Sequence, residues 1–197
     1  MDPIERVNAL FAESAQLSAN AADSQATPIA KAAQTIVGCL LGGGKVLACG
    51  NGSSAADAQY FAAQMQHRFE RERPGLPALA MSSDAVVLTA IAFDEGFNEV
   101  FAQQLSALGQ PGDLLFALTT DGMAINICRA VRAAREREMQ VIALTGRDGG
   151  ELAAGLNDVD TEIRAPATEV SRILENHRLV IHCLCDLVDL LLMGGEV

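Results

Sequence analysis

"DLLFALTTDGMAINICRAVRAAREREMQVIALTG" (Asp113–Gly146) decides the fold. Its two ends, "DLLFALT" (113–119) and "QVIALTG" (140–146), are nearly unbroken apolar runs of strand length, and "INICRAVRAAREREM" between them has helical spacing. Strands that are apolar at almost every position belong to parallel sheets covered on both faces. Where the first strand should end and the helix begin lies "LTTDGMAIN" (118–126). Two threonines and a glycine at such a turn suggest a cradle for an anion, yet Asp121 sits in its middle.

The same alternation extends outward. "KVLACG" (45–50), "PALAMS" (77–82) and "TEIRAP" (161–166) read as three further strands, and "SSAADAQYFAAQMQHRFERE" and "NEVFAQQLSALG" as helices. Strand and helix in alternation imply an α/β fold, a doubly wound parallel sheet. Two helices should precede the first strand. One covers roughly 3–22, and the other begins near Pro28, a good first-turn residue, and stops at Gly42-Gly43-Gly44. A long helix over about 167–193 closes the chain, with Val170, Ile173, Leu174, Ile181, Leu184, Val188 and Leu191 on its apolar side. The reading is one domain over 1–197: an N-terminal helical extension (1–43), an α/β core (44–166) and a C-terminal helix (167–193). The extension and last helix carry more apolar surface than one sheet face needs, which implies a homo-oligomer.

Half of the 197 residues are hydrophobic, enough for a sizeable core. The formal net charge of −11 excludes nucleic acid as a direct partner, since phosphate binding needs clustered Lys and Arg. No apolar run approaches the roughly 18 residues of a membrane span, and the acidic, amphipathic start is not a signal peptide, so a cytoplasmic protein is expected. The five cysteines (Cys39, Cys49, Cys128, Cys183, Cys185) show no zinc-type spacing. All five are expected to be buried, reduced thiols.

A second turn matches the first. "CGNGSSAADA" (49–58) places Asn51, Gly52, Ser53 and Ser54 between a strand and a helix N-terminus, whose free N–H groups and dipole favour an anion. Taken alone, these residues could equally be ordinary helix caps. Two such turns at one sheet edge favour a ligand site, because open α/β sheets bind ligands outside the carboxyl ends of their strands. A third turn, "LTGRDGGEL" (144–152), is expected only to shape the loop.

"GGKVLACGNGSSAADAQYFAAQM", "RFERERPGLPALAM", "FNEVFAQQLSALGQPGDLL", "VIALTGRDGGELA" and "VIHCLCDLVD" together resemble the sugar isomerase (SIS) domain family over essentially the whole chain. Within it the chain is similar to the phosphoheptose isomerase group and to a branch that associates with the replication initiator DnaA. The resemblance implies a five-stranded parallel sheet, the SIS fold, and a homotetramer. Its isomerases carry Ser-Thr-Ser-Gly-Asn-Ser where Thr119, Thr120, Asp121, Gly122, Met123 and Ala124 stand here. They also carry a His and a Glu four apart on the helix after the first turn, where Tyr60 and Gln64 stand; that spacing puts both on one face, able to hold zinc. A Gln is replaced by Leu174, and a His remains as His182. His67 and His177 match no ligand position, and Asp57 and Asp94 are acids near the cleft but not at the base position.

A carboxamide is no base near neutral pH, a phenol of ordinary pKa near 10 is a weak one, and a single imidazole makes no zinc site. The resemblance therefore leads to the expectation of a non-catalytic tetramer with no metal or other cofactor. Such a tetramer would gather copies of DnaA and promote replication initiation through effective concentration. Leu192 and Met193, near the end of the last helix, are the candidate patch for that partner. Asn51, Gly52, Ser53, Ser54, Thr119, Thr120 and Asp121 are the candidate ligand residues, for a sugar phosphate. The alternatives are a phosphoheptose isomerase, acting on sedoheptulose 7-phosphate, and a sugar-phosphate-binding regulator. An ionised Asp121 should repel phosphate unless it turns away.

Overall fold

The computed structural model describes residues 2–194. Five strands, β1 (Val46–Gly50), β2 (Ala78–Ala80), β3 (Leu114–Leu118), β4 (Gln140–Thr145) and β5 (Thr161–Arg164), form one sheet in the order β2-β1-β3-β4-β5. Every neighbouring pair is parallel, with Ala48 opposite Phe116 and Phe116 opposite Ile142 along the middle. The central strands β1 and β3 are buried at each residue, as their unbroken apolar runs require. All five expected strands are present, each within a few residues of its expected limits.

Alternate residues of each strand feed two cores. Val46, Ala48, Leu114, Phe116, Leu118 and Leu144 point toward α1 (Pro3–Leu41), α2 (Ser53–Gln66) and α7 (Val170–Met193). Leu47, Cys49, Leu115, Ala117, Val141 and Ala143 point the other way, toward α4 (Ala102–Leu108), α5 (Ile125–Glu136) and α6 (Gly150–Ala154). This is the doubly wound arrangement. The order of the sheet reverses between β1 and β3, so the crevice at their carboxyl ends is where a ligand belongs. The short α3 (Ala85–Asp94) buries none of its residues, and Val86 and Phe93 stand open.

Two expectations fail here. The N-terminal region is one 39-residue helix rather than two, and it passes straight through Pro28. Proline removes one N–H and usually breaks a helix interior. Packing overrides it: Ala21, Gln25, Ile29, Ala32 and Ile36 are all buried on one side of α1. Gln25 exchanges side-chain hydrogen bonds with Asn176 of α7 at 2.7 and 3.0 Å and donates to the Arg164 carbonyl at 2.8 Å. Those contacts lie just before the proline and hold the helix axis across it. The second failure concerns the thiols. All five cysteines are free, but Cys128 and Cys183 are only half-buried. Burial pushes the Cys185 thiol up to about 12 and that of Cys39 up to about 11.

Candidate functional site

β1 and β3 end side by side, Gly50 opposite Leu118, so the turns that follow them share one edge of the sheet. In the first turn Gly52 takes φ of 54°, a left-handed conformation suited to glycine, and α2 starts at Ser53 without a side-chain cap. Ser54 is buried, whereas Ser53 and Gly52 are exposed. The two turns are tied by a pair of amides. Asn51 donates to the Asn126 side chain at 2.8 Å and accepts from it at 2.9 Å. Asn51 is thus committed to holding the crevice together. Asn126 was not singled out in the sequence because it lies beyond the threonine–glycine turn.

The second turn is filled from within. Asp121 does turn back: its Oδ1 accepts from the Met123 N–H at 3.0 Å and from the Thr119 hydroxyl at 3.5 Å, while the Gly122 N–H donates to Thr119 Oγ1 at 3.1 Å. The carboxylate therefore takes a backbone donor that an anion would use. Gly122 is required by its neighbour, the third turn: a Cβ there would come within 1.9 Å of the Gly149 carbonyl oxygen. Thr120 remains half-buried at the edge.

The strongest constellation lies on two facing helices. Asp57, Tyr60 and Gln64 follow one another at helical spacing on α2; Leu174, Arg178 and His182 do so on α7. Tyr60 Oη and His182 Nε2 are hydrogen-bonded at 3.1 Å. The Arg178 guanidinium lies over the Tyr60 ring, 3.8 Å from its centroid, and makes a direct ion pair with Asp57, whose side chain is almost wholly buried. Phe69 flanks the other partner, its ring centroid 5.7 Å from that of His182. The four positions expected to be related, Tyr60, Gln64, Leu174 and His182, therefore fall on the two facing helices, and a hydrogen bond joins Tyr60 to His182 across them. Asp94 ends α3 and is exposed.

The other histidines part company. His67 is exposed at the end of α2. His177, beside Arg178 on α7, is fully buried, its Nε2 2.8 Å from the Thr145 carbonyl and its Nδ1 without a partner. Burial holds its pKa below the ordinary histidine value, against the opposing pull of the Thr145 carbonyl and of Asp57. Below Gln64, Arg73 closes the end of α2. It donates to the Gln64 and Met65 carbonyls at 3.0 and 2.9 Å and pairs with Asp189 of α7; both side chains of that ion pair are at most 2% exposed.

The sequence model of the SIS domain family matches residues 10–146. The chain belongs to the SIS domain family. The phosphoheptose isomerase of Aromatoleum aromaticum is 52% identical over 196 residues, 100% of this chain and 99% of that protein. That of Dechloromonas aromatica is 50% identical, with both chains covered in full. Among solved structures, the phosphoheptose isomerase from Neisseria gonorrhoeae superposes with a TM-score of 0.91 at 47% identity, over 95% of this SIS chain and 99% of that one. The enzyme from Francisella tularensis gives 0.93 at 44%, over 96% and 99%.

These relatives overturn one expectation. A non-catalytic protein that assembles DnaA does not fit relatives of such identity, matched end to end, that are phosphoheptose isomerases. The candidate patch for that partner goes with it: Leu192 packs against the core of this SIS fold, and Met193 is the exposed end of α7. Tyr60 and Gln64 depart from the isomerase residues one by one, whereas the contact between Tyr60 and His182 joins two helices that only the fold brings together. Among the described residues no helix is long and apolar enough to cross a membrane.

Proposed function

We propose that this SIS protein is a phosphoheptose isomerase that binds the phosphorylated ketose between the turns after β1 and β3 and passes its proton through Tyr60 and His182. Aldose–ketose interconversion takes a proton from one carbon and returns it to the next, so it needs a group that both accepts and donates at short range. The observation that carries the reading is the 3.1 Å hydrogen bond between Tyr60 and His182 at two of the isomerase positions. A phenol bonded to an imidazole can give up its proton to that ring and recover it without waiting for solvent. The uncapped N-terminus of α2, with Ser53 and Ser54, is the place for the phosphate. The turn at Thr119 and Thr120 contributes less, because Asp121 already occupies a donor there.

Zinc has no part in this reading. Tyr60, Gln64, Leu174 and His182 offer a metal one imidazole and one phenol, and among the described residues no group of three His, Cys, Asp or Glu side chains comes together. The protein is read as a homotetramer in which neighbouring copies cover Ile4, Val7 and Phe11 of α1 and Phe93 of α3, all more than half exposed in the single chain. Light scattering on the purified protein tests that; a monomer at micromolar concentration would contradict it.

Incubation with sedoheptulose 7-phosphate in heavy water tests the chemistry. The expected result is deuterium in the recovered sugar and aldose product, both lost in Tyr60→Phe and His182→Ala. Wild-type protein that gives neither would exclude isomerase activity. Binding without exchange would instead favour the second reading, a sugar-phosphate-binding regulator, with the ligand held by the turn after β1 rather than by the turn that Asp121 fills.

A further inference from the structure

Asp57 and Tyr60 stand three residues apart on α2, and Arg178 and His182 four apart on α7, so each pair presents two side chains on one helix face. The two faces meet in register, Asp57 against Arg178 and Tyr60 against His182. From this we infer that Arg178 is a positioning residue for the reaction: stacked 3.8 Å from the centre of the Tyr60 ring and tethered by Asp57, it fixes the plane of the phenol so that its hydroxyl points at His182 Nε2.

A half-buried tyrosine on a helix can rotate about χ1 and χ2, and one hydrogen bond does not stop the ring from tilting. The guanidinium supplies the missing restraint. It lies flat on an aromatic face better than an ammonium does, and its remaining N–H groups stay free to hold Asp57. Asp57 is itself 7% exposed, so its carboxylate cannot relax into water and keeps Arg178 over the ring. On the far side, Phe69 limits the His182 ring. The phenol and the imidazole are thus each held by a second contact in addition to their mutual bond. No other cation stacks on Tyr60 among the described residues.

The inference rests on the proposed proton transfer for its kinetic consequence, but the ring's orientation can be read without any activity. The chain has one tyrosine and no tryptophan, so the tyrosine band of its near-ultraviolet circular dichroism belongs to Tyr60 alone. In Arg178→Met and Arg178→Lys that band should collapse toward the signal of a mobile ring, while far-ultraviolet spectra remain those of the wild type. Arg178→Lys keeps the charge opposite Asp57, so it separates the stack from the ion pair. In active protein both variants should lose on the order of tenfold to a hundredfold in kcat with KM unchanged, the pattern of a misplaced catalytic group. A tyrosine band unaltered in folded Arg178→Lys and Arg178→Met would overturn the positioning role, whether or not the wild type turns over sugar. A band that collapses while wild-type exchange is absent would uphold the orientation and sink only the isomerase reading.

Discussion

Asn51 and Asn126 exchange two amide hydrogen bonds, 2.8 and 2.9 Å long, across the point where the strand order of the sheet reverses. Asn51 begins the turn after β1; Asn126 lies in the first turn of α5, after β3. The crevice in which the proposed ligand sits is therefore clamped by a contact between side chains 75 residues apart.

Replacement of Asn126 by Asp keeps the acceptor for Asn51 and removes the donor. The Asn51 oxygen then faces a carboxylate at hydrogen-bond distance. A partly buried group left unpaired costs about 1–3 kcal/mol, so Asn126→Asp should unfold at lower denaturant by that amount. Equal midpoints for wild type and variant in urea titrations would show that the clamp is dispensable.

In the proposed ligand site, Asp121 should weaken the hold of the second turn on anions. A unit charge about 4 Å from a phosphate oxygen costs on the order of 1 kcal/mol in water and about 4 near a protein surface. Asp121→Ser removes that charge and keeps a hydroxyl able to accept from the Met123 N–H, as Asp121 does at 3.0 Å. Sedoheptulose 7-phosphate should bind at least about fivefold more tightly to this variant, read by calorimetry at low and moderate salt. Unchanged affinity would mean that the ligand does not use this turn.

His177 gives the fold a defined acid dependence. Its pKa is lowered in the folded state by burial, so the unfolded chain takes up a proton first. The stabilisation is therefore complete above the ordinary histidine value of about 6.5 and is lost as pH falls from there through the folded pKa, at up to about 1.4 kcal/mol per pH unit. His177→Gln, which can still donate to the Thr145 carbonyl, should be less stable at neutral pH but flatter in this window. Guanidinium titrations of both proteins at a series of pH values check the slope; parallel curves would exclude His177 as its source.

How far the sequence could reveal these features depended on the range of the interaction. The strands of the sheet were legible because burial on both faces forces each residue of β1 and β3 to be apolar, a purely local demand. The break expected at Pro28 was also local, and it was outvoted by Gln25 and Asn176, which lie 151 residues apart. Arg178 was unreadable for the same reason. On α7 alone a charged residue beside buried His177 looks like a solvated position, and its role exists only when α2 brings Asp57 and Tyr60 against it. The fold of Asp121 back onto Met123 likewise depends on backbone angles in the turn that residue types do not dictate.

The pair formed by Arg73 and Asp189 offers the clearest test of how α2 is fastened to α7. Both side chains are at most 2% exposed, and Asp189 Oδ2 has no partner, so the pair bears a desolvation cost that their mutual contact and the carbonyls accepting from Arg73 offset. Removal of Arg73 alone strands a buried carboxylate and also takes a donor from the Gln64, Met65 and Pro74 carbonyls, of which Met65 keeps the Leu76 N–H. Arg73→Leu should therefore lose about 3–5 kcal/mol, in the range measured for broken buried pairs. Arg73→Leu combined with Asp189→Leu removes the stranded charge and should recover much of that loss. The remainder measures the carbonyls that lose Arg73 as a donor, about 1 kcal/mol for each left without another partner. Single and double variants that unfold at the same denaturant concentration would show that no stranded charge burdens the core, and that the hold of Arg73 on α2 comes from the carbonyl contacts alone.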